Sequence, residues 1–285
     1  MRRFIFRINT IIILSSLTWA IGLQGLTLPQ SAQTLALSGS GIAGQINVEI
    51  NPATILKMND SNISFSSRTW FQDLRGSKFA LTFGETSKKV WMIETMNDNN
   101  IELHDDLPSE NSLGEFGVNW LSTSFTMGYQ FAEIDFGVTI RGNYSSLYTE
   151  SMYGVSTDFG LATQLSEKLQ FGAIIKNLGY EYSENLSENL PILVGIGISV
   201  EPLSNLKLLS DIEYSDTHEL VARFGIVKDW DTFGISAGAM KSDEEYSAST
   251  GFSFKYRRWQ LKYGVSMMQT ESLGFPQFFD IVWYF

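Results

Sequence analysis

The sequence of 285 residues contains no cysteine, two histidines, six prolines and few charged side chains. The absence of cysteine excludes disulfide scaffolds, thiol nucleophiles, zinc–thiolate sites and an N-terminal lipoprotein anchor. Charged residues make up 18% of the chain, below the roughly 25% that is usual for soluble domains. The net charge of −11 argues against nucleic acid as a partner, because phosphates would be repelled.

The N-terminus has the three parts of an export signal. Arg2, Arg3 and Arg7 form a basic region, an apolar stretch covers 8–23, and Thr18-Trp19-Ala20 offers a small-residue cleavage site. This order predicts a secretory signal peptide over residues 1–25, with the cleavage position left open. The alternative is a retained membrane anchor. It is disfavoured because the run is short and contains hydroxyl side chains.

The rest of the chain alternates apolar and polar residues with a period of two. In one segment Trp259, Leu261 and Tyr263 alternate with polar or small residues, and such alternation predicts strands with one apolar face. The polar faces are rich in Gly and Ser, which suit a crowded interior. Aromatic residues such as Tyr256 and Trp283 recur near strand ends, as in the girdles of transmembrane barrels.

The pattern predicts an all-β fold, a transmembrane antiparallel β-barrel of about fourteen strands over residues 62–285. The predicted strands cover 62–70, 77–85, 88–96, 114–131, 134–143, 153–164, 168–178, 191–201, 206–215, 218–228, 231–241, 246–257, 258–268 and 276–285. Short connections alternate with mostly longer ones, including 97–113, 144–152 and 179–190. This asymmetry is typical of outer-membrane barrels, and an even strand count predicts that both chain termini are periplasmic.

The last strand ends in Trp283-Tyr284-Phe285. A terminal aromatic residue on an alternating strand resembles the signal that the barrel assembly machinery recognises. We therefore predict that Trp283 and Phe285 form an assembly signal. The alternative is an ordinary apolar last strand.

Residues 34–61 precede the first strand and are predicted to fold into the barrel lumen as a hatch. They contain a Gly-rich, uncharged run at 37–44, followed by Asn51-Pro52-Ala53. A barrel of this size is wide enough to leak unless a segment plugs it. The glycines do not form a phosphate-binding loop, because no Gly-Lys-Ser/Thr follows them.

These residues carry a resemblance. The small-residue run before Asn51-Pro52-Ala53 resembles the hatch of FadL-like barrels, in particular those of the PorV/PorQ family of type IX secretion. Lys176-Asn177-Leu178-Gly179 is a further match. Other matches are 144–147, 153–154 with 158–160, Leu190-Pro191 and Phe285. The resemblance covers about residues 32–285 and implies an outer-membrane barrel of fourteen strands with an N-terminal hatch.

Nothing in the sequence predicts catalysis, a cofactor or a metal. His104 and His218 lie in predicted outer connections next to acidic residues, but polar residues in polar loops explain them better than a catalytic pair. Glu94, Asp98, Glu102, Asp105, Asp106 and Glu110 lack the spacing of a calcium loop. A solvated run of charge is the better interpretation.

The resemblance implies an accessory of type IX protein secretion that engages exported substrates or the secretion complex. The alternative is a FadL-like passive transporter of hydrophobic small molecules. The expected partners are outer-membrane lipid, the barrel assembly machinery and, in the first case, secretion proteins and cargo. Lumen chemistry distinguishes the two functions, because a transporter needs an apolar pocket. The predicted inward residues are Gly, Ser and charged side chains, which favours the secretion role.

Overall fold

The structure is a computed structural model that describes residues 24–44, 47–58, 60–70, 74–85, 87–103, 114–147, 150–183, 187–215, 219–243, 245–268 and 274–285. Residues 1–23 lie outside the described residues, so the signal peptide stays a prediction. In the described part of the chain, no helix is long and apolar enough to cross a membrane.

Strands make up most of the described residues. In chain order they are β1 (Asn62–Thr69), β2 (Arg75–Phe83), β3 (Lys89–Leu103), β4 (Gly114–Phe131), β5 (Ile134–Leu147), β6 (Glu150–Ser166), β7 (Leu169–Tyr182), β8 (Ser187–Asn189), β9 (Leu193–Leu203), β10 (Leu206–Ser215), β11 (Glu219–Asp229), β12 (Phe233–Lys241), β13 (Tyr246–Tyr256), β14 (Trp259–Met268) and β15 (Gln277–Tyr284). Before β1 lie a 3-10 helix at Gln24–Thr27, the short helix α1 (Ala32–Ala36) and a second 3-10 helix at Pro52–Lys57.

The sheet closes on itself. Neighbouring strands pair antiparallel in chain order, β7 pairs with β9, and β1 pairs with β15. Within the described residues this gives a closed ring of fourteen strands, while the three-residue β8 only extends the edge of β7. The predicted barrel is therefore confirmed. Closure gives every strand of the ring a partner on both sides, as a sheet surrounded by lipid requires.

The two ends of the barrel differ. We call the end with the β3–β4 connection the upper end, and the end with the β4–β5 turn the lower end. Lower connections include two-residue turns at 132–133, 167–168, 204–205 and 257–258. Strands β3 to β7 have 14 to 18 residues, whereas β9 to β15 have 8 to 11. The wall is therefore taller on the β3–β7 side, and the extra length lies at the upper end.

The predicted loop over 144–152 is wrong in its extent, because most of these residues belong to strands β5 and β6. Strands β5 and β6 continue to pair through Tyr144 with Tyr153 and Leu147 with Glu150. β8 also lies in the predicted loop 179–190. Both stretches are polar because they extend beyond the apolar belt, so their composition resembles that of a loop. Adjacent strands nevertheless offer hydrogen-bond partners there, and the ladder continues.

The wall is apolar outside and polar inside. Large apolar side chains point outward and are exposed, such as Ile196 at 51%, Phe224 at 58% and Phe252 at 50%. Charged side chains such as Arg141, Asp158 and Asp211 are buried inside. An inverted distribution of this kind is that of a membrane barrel. Exposed aromatic residues lie near both ends, Tyr153, Tyr182 and Tyr246 at the upper end and Tyr129, Trp230 and Trp259 at the lower end.

Candidate functional site

The described residues before β1, from 24 to 61, lie inside the barrel; we call them the inner segment. Helix α1 contacts β13, β14 and β15, and the 3-10 helix at Pro52–Lys57 contacts β4, β5 and β6. Leu37, Ile42 and Ile55 of this segment are fully buried. Ser31 caps α1, since its hydroxyl accepts a hydrogen bond from the Thr34 backbone N–H at 3.3 Å. The segment therefore fills the lower and middle lumen with backbone as well as side chains.

Inward glycines make room for this backbone. A Cβ on Gly137 would overlap the backbone of Pro52, and one on Gly238 would overlap the backbone of Leu37. Gly264 is equally close to the carbonyl oxygen of Ala32. Gly234 is an exception among the inward glycines, because its nearest atoms belong to the wall. At the close contacts any larger side chain would displace the inner segment or the strand.

Asn51 connects two parts of the inner segment to the wall. Its Oδ1 accepts a hydrogen bond from the Ala53 N–H at 2.9 Å. Its Nδ2 donates to the carbonyl oxygens of Ile42 at 2.7 Å and Leu161 at 2.9 Å. The backbone of Asn51 is extended (φ −132°, ψ 112°), as expected for a residue that precedes proline. Asn51-Pro52-Ala53 thus begins the second 3-10 helix and fixes its position.

Polar side chains of the wall hold the inner segment at several other points. Asp211 Oδ2 accepts from the backbone N–H groups of Gly41 at 2.5 Å and Ile42 at 3.2 Å. Asp280 Oδ2 accepts from the N–H of Ala32 at 2.9 Å. Further contacts of this kind join Lys176 Nζ to the Glu49 carbonyl, Lys262 Nζ to Gln33 Oε1, Lys78 Nζ to Glu49 Oε1 and Lys57 Nζ to Asp135 Oδ2. The buried charges of the wall are therefore used mainly to satisfy backbone or paired groups.

The Lys176-Asn177-Leu178-Gly179 motif forms an irregularity in β7. Asn177 has a positive φ of 61°, and the pairing of β7 with β6 shifts register at this point. The Asn177 N–H donates to Asp158 Oδ1 at 2.8 Å, and its Oδ1 accepts from Arg141 Nη1 at 3.2 Å. Arg141 also pairs with Asp158 at 2.8 Å. A Cβ on Gly179 would overlap the carbonyl oxygen of Val155, so the motif has a packing role in the wall.

A cavity of about 770 Å³ lies above the inner segment, in the upper half of the lumen. Its floor consists of residues of the inner segment, including Leu28 and Leu35, and its sides of inward residues from the strands. The apolar part of the lining includes Leu28, Leu35, Trp70, Met96, Trp120 and Met268. Trp70 packs against Phe278 with ring centroids 6.0 Å apart. The cavity thus has an apolar floor within a largely polar lumen.

This cavity corrects the expectation of a purely polar lumen. Trp120, Met96 and Phe278 point inward and are buried in one cluster with Leu26 and Leu35. Alternation alone placed Gly, Ser and charged residues inside, but it overlooked these apolar inward residues. They come from strands far apart in sequence and meet only when the barrel closes. A signal was present in β3, where Val90, Met92 and Met96 share the inward face with Glu94.

The other residues considered from sequence have varied positions. Trp283 and the exposed Phe285 stack at the end of β15 with centroids 5.3 Å apart, and the assembly signal stays a prediction. Glu94 is buried and pairs with Arg68 at 3.1 Å, so it does not belong to a solvated run of charge. His104, Asp105, Asp106, Glu110 and His218 lie outside the described residues. Among the described residues, no group of three or more ligand-type side chains could hold a metal ion.

Comparison with solved structures identifies the fold. The CymD monoaromatic hydrocarbon channel superposes with a TM-score of 0.66 at 13% identity, covering 90% of this chain and 97% of that chain. The chain has a FadL-like barrel fold. The Pseudomonas putida toluene transporter TodX (TM-score 0.58, 11% identity, 89% and 96% coverage) and a Pseudomonas aeruginosa FadL homologue (0.60, 8%, 89% and 97%) are also similar.

The likeness is structural and not one of sequence. No protein-family profile matches the chain, and no curated protein matches it. The comparisons therefore describe the fold of the barrel.

Proposed function

We propose that the protein is an outer-membrane channel for apolar small molecules and not an enzyme. The observation that carries the proposal is the cavity of about 770 Å³ with an apolar floor inside a closed barrel. Ligand pockets of drug-sized molecules have volumes of about 300–1,000 Å³ and mostly apolar linings. The similar solved structures named for monoaromatic hydrocarbons and toluene support the same class of ligand.

The secretion role implied by the PorV/PorQ resemblance is not our leading proposal. The resemblance was favoured over the transporter by a lumen without an apolar pocket, and the cavity lined by Trp70, Met96 and Trp120 removes that argument. The transporter that was the alternative now becomes the main proposal. Its partners are outer-membrane lipid and, during biogenesis, the barrel assembly machinery. We propose that the lower end, where β1 begins and β15 ends, is the periplasmic side; the first described residues, such as Gly25, lie beside the cavity.

We further propose that residues 34–61 act as a hatch below the cavity. Most of the described part of this range is buried in the lumen, and Asn51 and Asp211 hydrogen-bond its backbone to itself and to the wall. The wall is held by its own strand pairing, so the segment is proposed to break these contacts, and apolar ones such as Leu37 with Leu209, and to shift while the wall stays folded. A ligand in the cavity would then pass when the hatch moves.

Toluene uptake tests the channel proposal. The protein is expressed in cells whose outer leaflet is lipopolysaccharide, because this layer, unlike a simple bilayer, slows the entry of apolar compounds. We expect faster uptake than in cells with an empty vector. Ser145→Trp, which places a large ring in the cavity lining, should remove most of the gain. Ile140→Trp places the same ring on the outer face, where Ile140 is 54% exposed, and should retain it.

Two results would contradict the channel proposal. One is uptake equal to the vector control although the barrel is inserted, and the other is equal uptake by the two tryptophan variants. If uptake is unchanged but deletion of the gene impairs protein export, the secretion role replaces the channel.

A further inference from the structure

The charged side chains of the cavity lining are mostly acidic. It contains five carboxylates and a single cationic side chain; these are Glu150, Glu181, Glu188, Glu213, Glu245 and Arg223. Glu181 and Glu213 are buried, Glu188 is half-buried, and Glu150 and Glu245 are exposed toward the upper end. The carboxylates come from the upper parts of β6, β7, β8 and β10 and from the segment before β13. They therefore surround the cavity from several sides of the barrel.

The single cation does not balance this charge. Arg223 Nε donates to Glu213 Oε2 at 2.7 Å, and its Nη1 donates to the carbonyl oxygen of Ser38 at 2.6 Å. The guanidinium is thus already engaged by one carboxylate and by the inner segment. The lining as a whole retains an excess of carboxylates, which lowers the potential inside the cavity.

The upper end of the barrel has an excess of the same sign. Outside the cavity, Asp98, Glu102, Glu115 and Asp243 lie there against the two basic residues Arg75 and Lys241. At the lower end the two signs are nearly balanced: Lys88, Lys89, Lys168, Lys207, Lys228, Lys255, Arg257 and Arg258 lie with Asp60, Glu85, Glu133, Glu167, Glu201, Asp229 and Asp231. The field along the barrel therefore draws cations, and repels anions, at the upper mouth.

The aromatic side chains of the cavity lining provide a complementary interaction. Trp70 and Trp120 line the cavity, and the face of an indole ring attracts a cation that has lost its water. The apolar side chains next to them, such as Leu35 and Met96, accept the hydrocarbon part of the same ligand. A carboxylate or sulfonate head would instead face the excess of glutamates and be repelled.

We propose that the cavity binds apolar organic cations, such as aryl or alkyl ammonium compounds, in preference to neutral molecules of the same shape and to anionic amphiphiles. This inference rests on the proposed channel function and specifies its ligand class. The glutamates select for a positively charged ligand, and the aromatic and aliphatic side chains of the lining bind the apolar part of that ligand. Fatty-acid anions are therefore poor ligands for this barrel.

Three probes of equal size test the proposal. Benzyltrimethylammonium is the cation, neopentylbenzene is its neutral carbon analogue, and phenylmethanesulfonate is the anion. Binding is measured by calorimetry on the full chain in lipid nanodiscs, with empty nanodiscs as the blank. We expect the cation to bind about tenfold tighter than the neutral analogue, and the anion to bind more weakly than both. The preference should decrease as salt is added.

Matched triple variants assign the selectivity to the cavity. Glu150→Gln, Glu188→Gln and Glu245→Gln together remove three carboxylates from the lining. Glu102→Gln, Glu115→Gln and Asp243→Asn together remove three from the same end outside it. We expect the first set to abolish most of the preference for the cation and the second to retain most of it. Neopentylbenzene affinity should be the same in both, which also shows that both are folded.

The outcomes separate this inference from the channel proposal. If neopentylbenzene binds as tightly as the cation, charge selection is wrong while the channel stands. Tighter binding of phenylmethanesulfonate, or equal effects of the two triple variants, would also overturn the selection. If none of the three probes binds, the cavity is not a ligand site and the proposed function fails with it.

Discussion

Substitution of Asp211 tests whether hydrogen bonds to the wall keep the hatch closed. One oxygen of the Asp211 side chain accepts hydrogen bonds from two successive backbone N–H groups of the inner segment, those of Gly41 and Ile42. Asp211→Ala removes this acceptor while it leaves the backbone pairing of β10 with β9 and β11 intact. The side chain is buried, so the two N–H groups lose their partner in the closed state.

The expected size of the effect follows from these two bonds. A buried donor without a partner costs about 1–3 kcal/mol, so the closed state loses about 2–6 kcal/mol. Because about 1.4 kcal/mol is a factor of ten in an equilibrium constant, the open fraction should rise roughly 30-fold or more. Water that reaches the freed N–H groups brings the effect toward the lower value. Asp280, Lys262 and Asn51 still hold other parts of the segment.

Single-channel recording in planar bilayers measures this change. Wild type should be closed for most of the record, and Asp211→Ala should show frequent conducting events. Deletion of residues 34–58 gives the conductance of a lumen that has lost most of the inner segment as a reference. Asp211→Asn retains one carbonyl oxygen as an acceptor and should lie between wild type and Asp211→Ala.

Two results would refute the reasoning. If Asp211→Ala is as closed as wild type while the deletion conducts, the two hydrogen bonds do not hold the hatch. If the deletion itself conducts no more than the intact protein, side chains or the upper connections close the lumen.

The remaining predictions concern the wall. Phe252→Arg should destabilise the barrel by about 2–4 kcal/mol, because it places a cation on the outer face near mid-membrane. Ser247→Arg on the same strand points into the cavity and should cost clearly less; urea unfolding in lipid vesicles compares them, and equal midpoints would overturn the assignment of the two faces. Deletion of Phe285 should reduce the amount of heat-modifiable barrel in the outer membrane at native expression, and unchanged insertion would show that it is not part of the assembly signal.

Much of the wall could be predicted, because the face that a strand residue occupies depends on its position along the strand and not on distant contacts. A period of two assigns each side chain to one face without knowledge of its neighbours, and so the inward glycines Gly137, Gly172 and Gly264 could be recognised from sequence. Their contacts with Pro52, Ile42 and Ala32 show what occupies the space they leave. The alternation also predicted the polar inward face that carries Asp211 and Asp280.

The cavity and the irregularity in β7 were not predictable, because they depend on contacts between distant segments. Trp70 follows the last paired residue of β1, and its partner Phe278 occupies an inward position in β15, opposite Gly264. Nothing in either local pattern indicates that they meet. The positive φ of Asn177 likewise requires Asp158 and Arg141 from two other strands, which only the closed barrel brings together.

The unequal height of the wall has a consequence for access. At about 3.3 Å per residue and a tilt of about 40°, the 18 residues of β4 rise about 45 Å along the barrel axis. The 9 residues of β12 rise about 23 Å, close to the apolar band of about 25 Å that lipid covers. On the β3–β7 side the wall therefore extends beyond the membrane at the upper end. With the upper end outside the cell, as proposed, molecules reach the mouth most directly from the low side, over β11 to β15.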